Sequence, residues 1–414
     1  MELPLLRQSE RGVFKRCQWA WFQQHVVGIT PIVEKWKEAA DFGTIVHVCL
    51  AEYYLPGTKR GPHPAETWQK LAGKVVASLR VSDADDDELK TWEDFYELGA
   101  VLLDAYVDRY QGDPHWDIID AERRFRVVIP DTRVKPLKSE KGKRGYRPVV
   151  ILVGTIDLCM RDLKMQDNKH RPLVKMLDHK TVGRIPDFTY LIMDEQAGTY
   201  IAVGTHALRE QGLIEPDQVV RGMEYNYIRR APLDERPRDD NGMARNKPLK
   251  KHYVEALESV GVSFPNDPFK LSVRDLSEYA DKHGLTVWGD VSADQSGVTF
   301  VRHFVPRTPK ERNRQIVRIS EEAQVMNMVR TGELPVLKTP TKDCKFCKYV
   351  DLCELDESGD DAEYFIKTTM KPYDAYEDHR EDATNSKKVT DASSSSEREG
   401  SGRAAVVQEA NETA

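Results

Sequence analysis

Apolar residues recur at helical spacing through the first third of the chain. The pattern predicts a helix over residues 33–56, where a proline ends it. Two further helices are predicted over residues 64–80 and 86–111, on either side of a short acidic turn. We therefore expect this part of the chain to be helical.

After residue 120 the periodicity changes from that of helices to that of strands. Apolar and β-branched runs predict strands over residues 121–130, 149–160 and 173–181, with polar segments between them. A helical pattern follows over residues 194–212, and another strand over residues 219–231. The predicted order is a βββαβ unit.

The pattern beyond this unit is less regular. Residues 232–297 are expected to form an insertion with one short helix near residues 250–260. A strand is predicted over residues 298–307, and then a helix over residues 308–332 that begins with Thr308 as its cap. A short polar stretch follows this helix.

Charge is unevenly distributed along the chain. The 414 residues include 61 Lys and Arg and 68 Asp and Glu, a net charge of −7. Residues 355–414 hold 7 basic and 15 acidic side chains, a net −8, so residues 1–354 hold 54 basic and 53 acidic ones, a net +1. From about Glu381 onward the chain has no aromatic residue and almost no large aliphatic one, so we expect this stretch to be disordered. Residues 355–414 as a whole are expected to form an acidic, largely disordered tail.

Composition excludes several classes of protein. A hydrophobic fraction of 40% is too high for a wholly disordered chain. No apolar run reaches the roughly 18 residues of a membrane helix, and the charged first twenty residues do not resemble a secretory signal. We expect a cytoplasmic protein whose electrically balanced body leaves room for a local basic groove.

The six cysteines divide into two groups by their surroundings. Cys49 and Cys159 lie in apolar runs and are expected to be small buried hydrophobic residues. Three others follow the spacing C-x2-C-x5-C in a short polar stretch and one lies far upstream; these four are Cys17, Cys344, Cys347 and Cys353. Cysteines grouped in this way usually bind a metal, either zinc or an iron–sulfur cluster. A third interpretation is that they are free thiols.

Two carboxylates and a lysine are predicted to meet at the ends of neighbouring strands. Asp178 and Lys180 face one side of their strand, and His179 faces the other. Antiparallel pairing across the turn at residues 164–172 would bring Asp157 beside them. Such carboxylates suit Mg²⁺ or Mn²⁺, and a lysine can orient or deprotonate water or stabilise charge on a phosphate. The alternative is an ordinary hairpin with a surface ion pair, although an acidic residue in an apolar strand is costly unless paired or metal-bound.

Four short motifs contain these residues and stand in a recognisable order. They are GTIVH (43–47), GTID (154–157), DHKT (178–181) and QAGTY (196–200). In order and spacing they resemble the RecB-type branch of the PD-(D/E)xK nuclease superfamily. The four cysteines further resemble those of its iron–sulfur subgroup, which includes AddB and the CRISPR-associated RecB-like exonucleases. This resemblance favours a 4Fe-4S cluster over zinc.

The resemblance implies an α/β fold with a restriction-endonuclease-like core, in which a mixed central sheet is flanked by helices. It also implies a helical N-terminal region and a C-terminal iron–sulfur staple. The expected parts are 1–32, which supplies the first cluster cysteine; 33–115, the helical region with the G-x-x-x-H element; 116–231, the nuclease core; 232–297, the insertion; 298–354, the last strand, helix and cysteines; and 355–414, the tail.

The resemblance also assigns roles to single residues. His47, Asp157, Asp178 and the backbone carbonyl of His179 would bind the divalent metal, and Lys180 would assist the attacking water.

Further residues have two interpretations each. Gln196 and Tyr200 lie one helical turn apart and can reach the active-site mouth, or they can pack against the sheet. His47 would be an ordinary core histidine without the motif match. Gly43, one turn before it, would allow close approach of the helix to the sheet. Glu122 is expected to be structural.

The implied function is that of a metal-dependent DNA exonuclease acting at DNA ends or in single strands, in recombination, repair or replication. No G-x4-G-K-[ST] motif occurs, so unwinding would need a helicase or recombination partner. A non-catalytic DNA-binding or scaffold protein with the same fold is the alternative. Similar stand-alone nucleases are encoded by phages, which would place the protein in the host cytoplasm.

Basic residues interleaved with aromatic ones are candidate DNA contacts, and a solvated charged surface is the alternative. The candidates are Arg11, Lys15 and Arg16 with Trp19 and Trp21, the segment 141–147 with Lys143 and Arg144, and the pair Arg229 and Arg230. Because an anionic tail would repel DNA, we predict that its removal at about residue 370 strengthens binding at low salt.

Overall fold

The computed structural model of the chain describes residues 3–33, 37–82, 85–134, 137–138, 144–145, 147–234, 236–293, 295 and 298–379. Its strands are β1 (Leu5–Arg7), β2 (Ile29–Pro31), β3 (Trp116–Pro130), β4 (Leu137–Lys138), β5 (Arg144–Gly145), β6 (Pro148–Gln166), β7 (Pro172–Val182), β8 (Val220–Arg229), β9 (Phe300–Pro306) and β10 (Met370–Pro372). Its helices are α1 (Gln8–Arg16), α2 (Gln18–Phe22), α3 (Lys37–Tyr53), α4 (Pro64–Val81), α5 (Asp86–Tyr110), α6 (Glu195–Glu210), α7 (Lys250–Ser259), α8 (Val273–Lys282), α9 (Pro309–Arg330), α10 (Val350–Ser358) and α11 (Ala362–Thr369). Of the described helices, none combines the length and the apolar character needed to cross a membrane.

One mixed sheet lies at the centre of the molecule, and the long strand β6 runs through it. Strand β3 pairs antiparallel along one edge of β6. The other edge of β6 pairs with two different strands. Strand β1 pairs in parallel with residues 151–153, and β7 pairs antiparallel from Leu158 onward. Strand β8 continues the sheet in parallel with β7, and β9 pairs antiparallel with β8. The sheet therefore forks along β6 between residues 153 and 158.

Helices cover both faces of this sheet and enclose two cores. Cys159 of β6 and Met176 of β7 belong to the core shared with α6 and α9. Their neighbours Leu158 and Leu177 belong to the core shared with α3, α4 and α5, because successive side chains of a strand point to opposite faces. The expected α/β architecture, a mixed sheet flanked by helices, is confirmed.

Two glycines allow close packing beside the fork. A Cβ added to Gly43 would lie 2.7 Å from the Thr181 hydroxyl oxygen, and a Cβ added to Gly154 would lie 2.8 Å from the Phe125 ring. The predicted role of Gly43, which is to let α3 approach the sheet closely, is therefore confirmed.

The elements predicted from the sequence are present, with shifted ends and some omissions. Strand β3 begins at Trp116 rather than at residue 121. Strand β1 was not predicted, because three residues are too few to show a two-residue period. Within the expected insertion, α7 is joined by a second helix, α8, and the two enclose a small core of Val254, Leu257, Leu276 and Ala280.

The expectation that residues 355–414 are largely disordered is wrong for residues 355–379. There α11 follows α10, and β10 pairs antiparallel with β2 near the other end of the chain. The Tyr376 hydroxyl donates a hydrogen bond to the buried carboxylate of Glu10. This stretch contains aromatic residues that can be buried, and it carries 8 of the 15 acidic side chains of the tail. A cut at about residue 370 would therefore remove packed residues together with charge.

Candidate active site

The fork in the sheet brings the predicted acidic residues together. Asp157 lies on β6 at the fork, and its Oδ2 accepts a hydrogen bond of 2.8 Å from the backbone N–H of His179 on β7. Lys180 Nζ lies 2.5 Å from Asp178 Oδ2, so these two side chains share one face. The ring of His179 lies on the other face, stacked on Tyr54 with the ring centroids 6.3 Å apart.

Two further side chains complete a set of possible metal ligands. His47 on α3 places Nδ1 3.3 Å from Asp157 Oδ2 and Nε2 2.9 Å from the carbonyl oxygen of His179. Glu122 on β3 places Oε1 3.8 Å from His47 Nδ1. One ligand atom from each of His47, Glu122 and Asp157 lies within 4.8 Å of the others. Glu122, which was expected to be structural, therefore lies within reach of the other possible ligands.

No motif in the sequence singles out Glu122. Its place in the site depends on the long β3–β6 ladder, whose register shifts between Ile118 and Asp120. Its backbone φ is 48°, in the left-handed region that residues other than glycine seldom adopt. Such strain persists where the surrounding structure fixes it, and it is common at functional sites.

The acidic groups of the site disfavour one another's ionised forms. Burial, and then the charges of Asp157 and Asp178, raise the pKa of Glu122 to about 7. Burial also raises the pKa of Asp178, against the opposing effect of Lys180. Burial by itself lowers the pKa of Lys180, but the Asp178 carboxylate outweighs it and the net shift is upward. Lys180 is thus held as an ammonium ion, and a cation near Glu122 would relieve the repulsion there.

The donor set fits a hard divalent cation. Carboxylate oxygens, a backbone carbonyl and one imidazole are ligands that Mg²⁺ or Mn²⁺ accepts. His47 Nδ1 lies 3.3 Å from Asp157 Oδ2, close to the roughly 3 Å expected between adjacent ligands of an octahedral ion, and 3.8 Å from Glu122 Oε1. His47 through Nδ1, Glu122 and Asp157 could therefore hold one ion. The His179 carbonyl, which was also predicted as a ligand, lies against the other ring nitrogen, His47 Nε2. Asp178, also predicted as a ligand, is not among the three clustered side chains and pairs with Lys180.

Helix α6 places the two residues of the predicted Q-x-x-x-Y motif differently. Gln196 Nε2 donates a hydrogen bond of 2.7 Å to Asp178 Oδ1, so Gln196 reaches the acidic site. Tyr200 meets the Phe125 ring edge to face at 5.8 Å, and burial raises the pKa of its hydroxyl. Tyr200 therefore packs against the sheet, and it also lines the adjoining cleft.

A buried polar network lies behind His179. Its Nδ1 is 2.7 Å from Asn226 Nδ2, and Asn226 also donates to the Tyr106 hydroxyl at 3.1 Å. Arg302 donates to that hydroxyl at 2.8 Å and to both carboxylate oxygens of Asp113 at 2.6 and 2.9 Å. Burial lowers the pKa of His179 well below its usual value. His179 is therefore a neutral ring in a fixed position, and its carbonyl is fixed with it.

A cleft of about 870 Å³ opens at the fork beside Lys180. Its walls come from the junction of β1 and α1, from β6 at the fork, and from the turn that precedes α6. Its lining includes Arg7, Lys180, Tyr190, Met193 and Gln196.

The four cysteines predicted to bind metal line a second cavity, of about 540 Å³. Burial raises the pKa of both Cys347 and Cys353, and the nearby Cys17 adds to the rise in each. Among the cysteines that the structure describes, no three sulfurs lie within 4.8 Å of one another. A tetrahedral zinc ion would bring its sulfurs to about 3.8 Å, given a Zn–S bond of about 2.3 Å. Cys49 and Cys159 are buried in the two main cores, as predicted.

Several candidate DNA contacts are occupied by the fold itself. Arg11 and Trp21 are fully buried, so the expectation that they contact DNA is wrong. Arg11 pairs with Glu322 on α9 at 2.6 Å, and Lys15 pairs with the same carboxylate at 2.7 Å. Arg11 and Lys15 of α1 thus both pair with Glu322 of α9.

The other candidates lie away from the cleft or outside the described residues. Arg16 and Trp19 line the cysteine cavity. Arg230 donates to the carbonyl oxygen of Ala39 at 3.1 Å and lies over the Phe42 ring. Arg229 is partly buried at the end of β8. Lys143 is outside the described residues, and only the backbone of Arg144 is described.

The chain matches a known protein family. A sequence model of the PD-(D/E)XK nuclease superfamily matches residues 8–354. Among curated proteins, none matches the chain. The matched span contains the central sheet except β1, the possible metal ligands and all four cysteines of the second cavity.

Proposed function

The chain belongs to the PD-(D/E)XK nuclease superfamily, and from this we propose that it is a metal-dependent deoxyribonuclease. The observation that carries the proposal is the position of the clustered ligands His47, Glu122 and Asp157 next to a charged Lys180. Lys180 lines the cleft that opens at the fork, and Asp157 follows residues 154–155 of the cleft wall on β6. A substrate phosphate entering the cleft would meet the cationic Lys180 close to the proposed metal site.

Each residue of the site has a chemical role in the proposal. When bound, a divalent ion lowers the pKa of a water molecule and stabilises charge on the scissile phosphate. The Asp178 carboxylate raises the pKa of Lys180, so in the proposal the Lys180 ammonium ion stabilises negative charge on the phosphate. Gln196 fixes the Asp178 carboxylate, and Asp178 fixes Lys180. The buried network holds the His179 carbonyl in place against His47 Nε2.

We further propose that the enzyme is a RecB-like exonuclease that acts at DNA ends or in single strands. The motif order from GTIVH (43–47) to QAGTY (196–200) supports this. The reaction would serve recombination, repair or replication in the cytoplasm, or in the host cytoplasm if a phage encodes the protein. Unwinding of duplex DNA would come from a helicase or recombination partner.

We also propose that the cysteine cavity holds a 4Fe-4S cluster. The four cysteines line one space, and no three of their sulfurs in the described chain lie within 4.8 Å of one another, which favours a cluster, whose iron and sulfide atoms lie between its thiolates, over a single zinc ion. Cys17 comes from the N-terminal segment, and the other three come from the segment that follows α9. Such a cluster would staple these two distant segments together.

Cleavage by the variant Lys180→Ala tests the proposed activity. Loss of the ammonium ion should lower the rate of Mg²⁺-dependent cleavage of labelled DNA by about 100-fold or more. The surface variant Lys282→Ala is the matched control and should keep full activity. Circular dichroism should show that both variants are folded. Unchanged cleavage by Lys180→Ala would refute the proposed role, and cleavage by neither variant nor parent would favour a scaffold protein.

A further inference from the structure

One feature of the cleft has no role in the proposed chemistry. The short helical turn Thr189–Met193, here called the apolar turn, exposes three large apolar side chains. Tyr190 is 51% exposed, Ile192 70% and Met193 68%. Clustered exposure of this kind usually marks a contact surface. Tyr190 and Met193 line the same cleft as Lys180.

The apolar turn is held rigidly in this position. Leu191, its central residue, is fully buried and anchors the turn in the core. Arg307 donates hydrogen bonds to the carbonyl oxygens of Leu191 at 3.0 Å and of Asp194 at 3.1 Å. The hydroxyl groups of Tyr190 and Tyr227 lie 3.5 Å apart. The fold therefore presents these apolar side chains to solvent from a braced backbone.

We propose that the apolar turn is a stacking platform for unpaired bases of the strand that is cut. The inference rests on the proposed nuclease activity and names its substrate class, which is single-stranded DNA or the frayed end of a duplex. Arg7 and Lys180 offer cationic groups to phosphates, and Tyr190 and Met193 give the cleft an apolar edge for bases. The lining also includes the carboxylates of Asp194 and Glu195. Asp194 accepts a hydrogen bond from the Tyr225 hydroxyl, and Glu195 pairs with Lys15 and Arg318. Every base has an apolar face that can stack on an aromatic ring, but in a duplex that face is already covered by its neighbours.

Binding measurements on the full chain separate base stacking from phosphate contacts. Fluorescence anisotropy is recorded with Ca²⁺ in place of Mg²⁺, using a labelled oligothymidine strand and an abasic strand with the same number of phosphates. Tyr190→Ala should bind oligothymidine about tenfold more weakly and bind the abasic strand as the parent does. Tyr190→Phe keeps the ring and should keep the affinity. The matched control is Tyr364→Ala on α11, where the tyrosine is 68% exposed away from the cleft.

The outcomes distinguish the platform from the nuclease activity. Equal affinity of parent and Tyr190→Ala for oligothymidine overturns the platform, and so does an equal loss for both strands. A variant that keeps its DNA affinity but loses self-association would make the apolar turn a contact between protein copies, which also overturns it. If Lys180-dependent cleavage persists in any of these cases, the nuclease proposal stands alone. A parent chain that binds neither strand and cuts no DNA overturns both.

Discussion

Glu122 is the residue at which the electrostatics of the site have the clearest consequence. Burial, and then the charges of Asp157 and Asp178, raise its pKa from 4.5 to about 7. A raised pKa in the folded state means that the ionised carboxylate destabilises the metal-free fold. Because protonation and folding are linked, this loss of stability is absent below pH 4.5 and complete once the pH has risen past about 7.

Glu122→Gln should therefore have opposite effects on the fold and on metal binding. The side chain is partly exposed, so solvent weakens the repulsion, and we expect the thermal midpoint of the metal-free protein to rise by only about 2 °C near pH 8. Near pH 4.5 the midpoint should be unchanged. The affinity for Mn²⁺ should fall, because a carboxylate ligand is lost. Calorimetry of the metal-free protein at both pH values and titration with Mn²⁺ measure these effects.

The exposed variant Glu321→Gln, on α9, is the control for this experiment and should change neither quantity. Unchanged or increased Mn²⁺ affinity in Glu122→Gln would show that Glu122 is not a ligand, and a lower midpoint near pH 8 would contradict the repulsion between the carboxylates.

At the level of single residues, the sequence motifs predicted most of the site residues but not all of them. Asp157, Asp178, Lys180 and Gln196 could be found because each lies within a short pattern whose spacing carries the chemistry. Glu122 could not, because its contribution depends on an irregular strand pairing that no local pattern encodes.

Among the secondary-structure elements, the buried network links α5, β7, β8 and β9 behind the site. Its largest single interaction is the double hydrogen bond from Arg302 on β9 to Asp113, which follows α5. Both side chains are almost fully buried, so removal of one partner leaves the other charge without compensation.

Arg302→Ala should lower the free energy of unfolding by about 3–5 kcal/mol, because the Asp113 carboxylate would then be buried and unpaired. Urea denaturation of the metal-free protein measures the loss. Arg274→Ala is the control, since that side chain is 88% exposed on α8 and should matter by less than about 0.5 kcal/mol. A loss below about 1 kcal/mol in Arg302→Ala would contradict the account of the network.

Strong periodicity explains which elements could be predicted. The long strands β6 and β7 and the helices α4, α5 and α9 each span enough residues for their period to be clear. Strand β1 forms because it pairs with β6, and β10 forms because it pairs with β2. Neither short segment shows a hydrophobic period of its own.

In the whole molecule, the two ends of the described chain meet beside the cysteine cavity. The backbone N–H of Trp19 donates to the carbonyl oxygen of Leu337 at 3.1 Å, and Tyr349 donates its hydroxyl to Ile29 at 2.6 Å. The sequence pattern predicted the link through the cysteines. The packing of residues 355–379 could not be predicted, because this segment is rich in acidic residues and contains only the few aromatic residues that form the contact.

Cys347→Ala should lose the cluster while keeping the central sheet. We expect the parent protein, purified without oxygen, to be brown and to contain iron and sulfide, and we expect the variant to lack both. Cys49→Ala is the matched control, because that cysteine lies in the core of α3 and should leave the iron content unchanged. Metal and sulfide analysis decides the question, and a colourless parent with one zinc ion per chain would contradict the cluster.

The central claim is that the site at the fork cuts DNA with a divalent ion. The most direct measurement is cleavage by the purified full chain of single and double strands, labelled at the 5′ or the 3′ end, with Mg²⁺ or Mn²⁺ and with EDTA. We predict metal-dependent release of nucleotides from an end or from single strands, which EDTA abolishes. Cleavage that continues in EDTA, or no cleavage of any strand with either metal, would contradict the account.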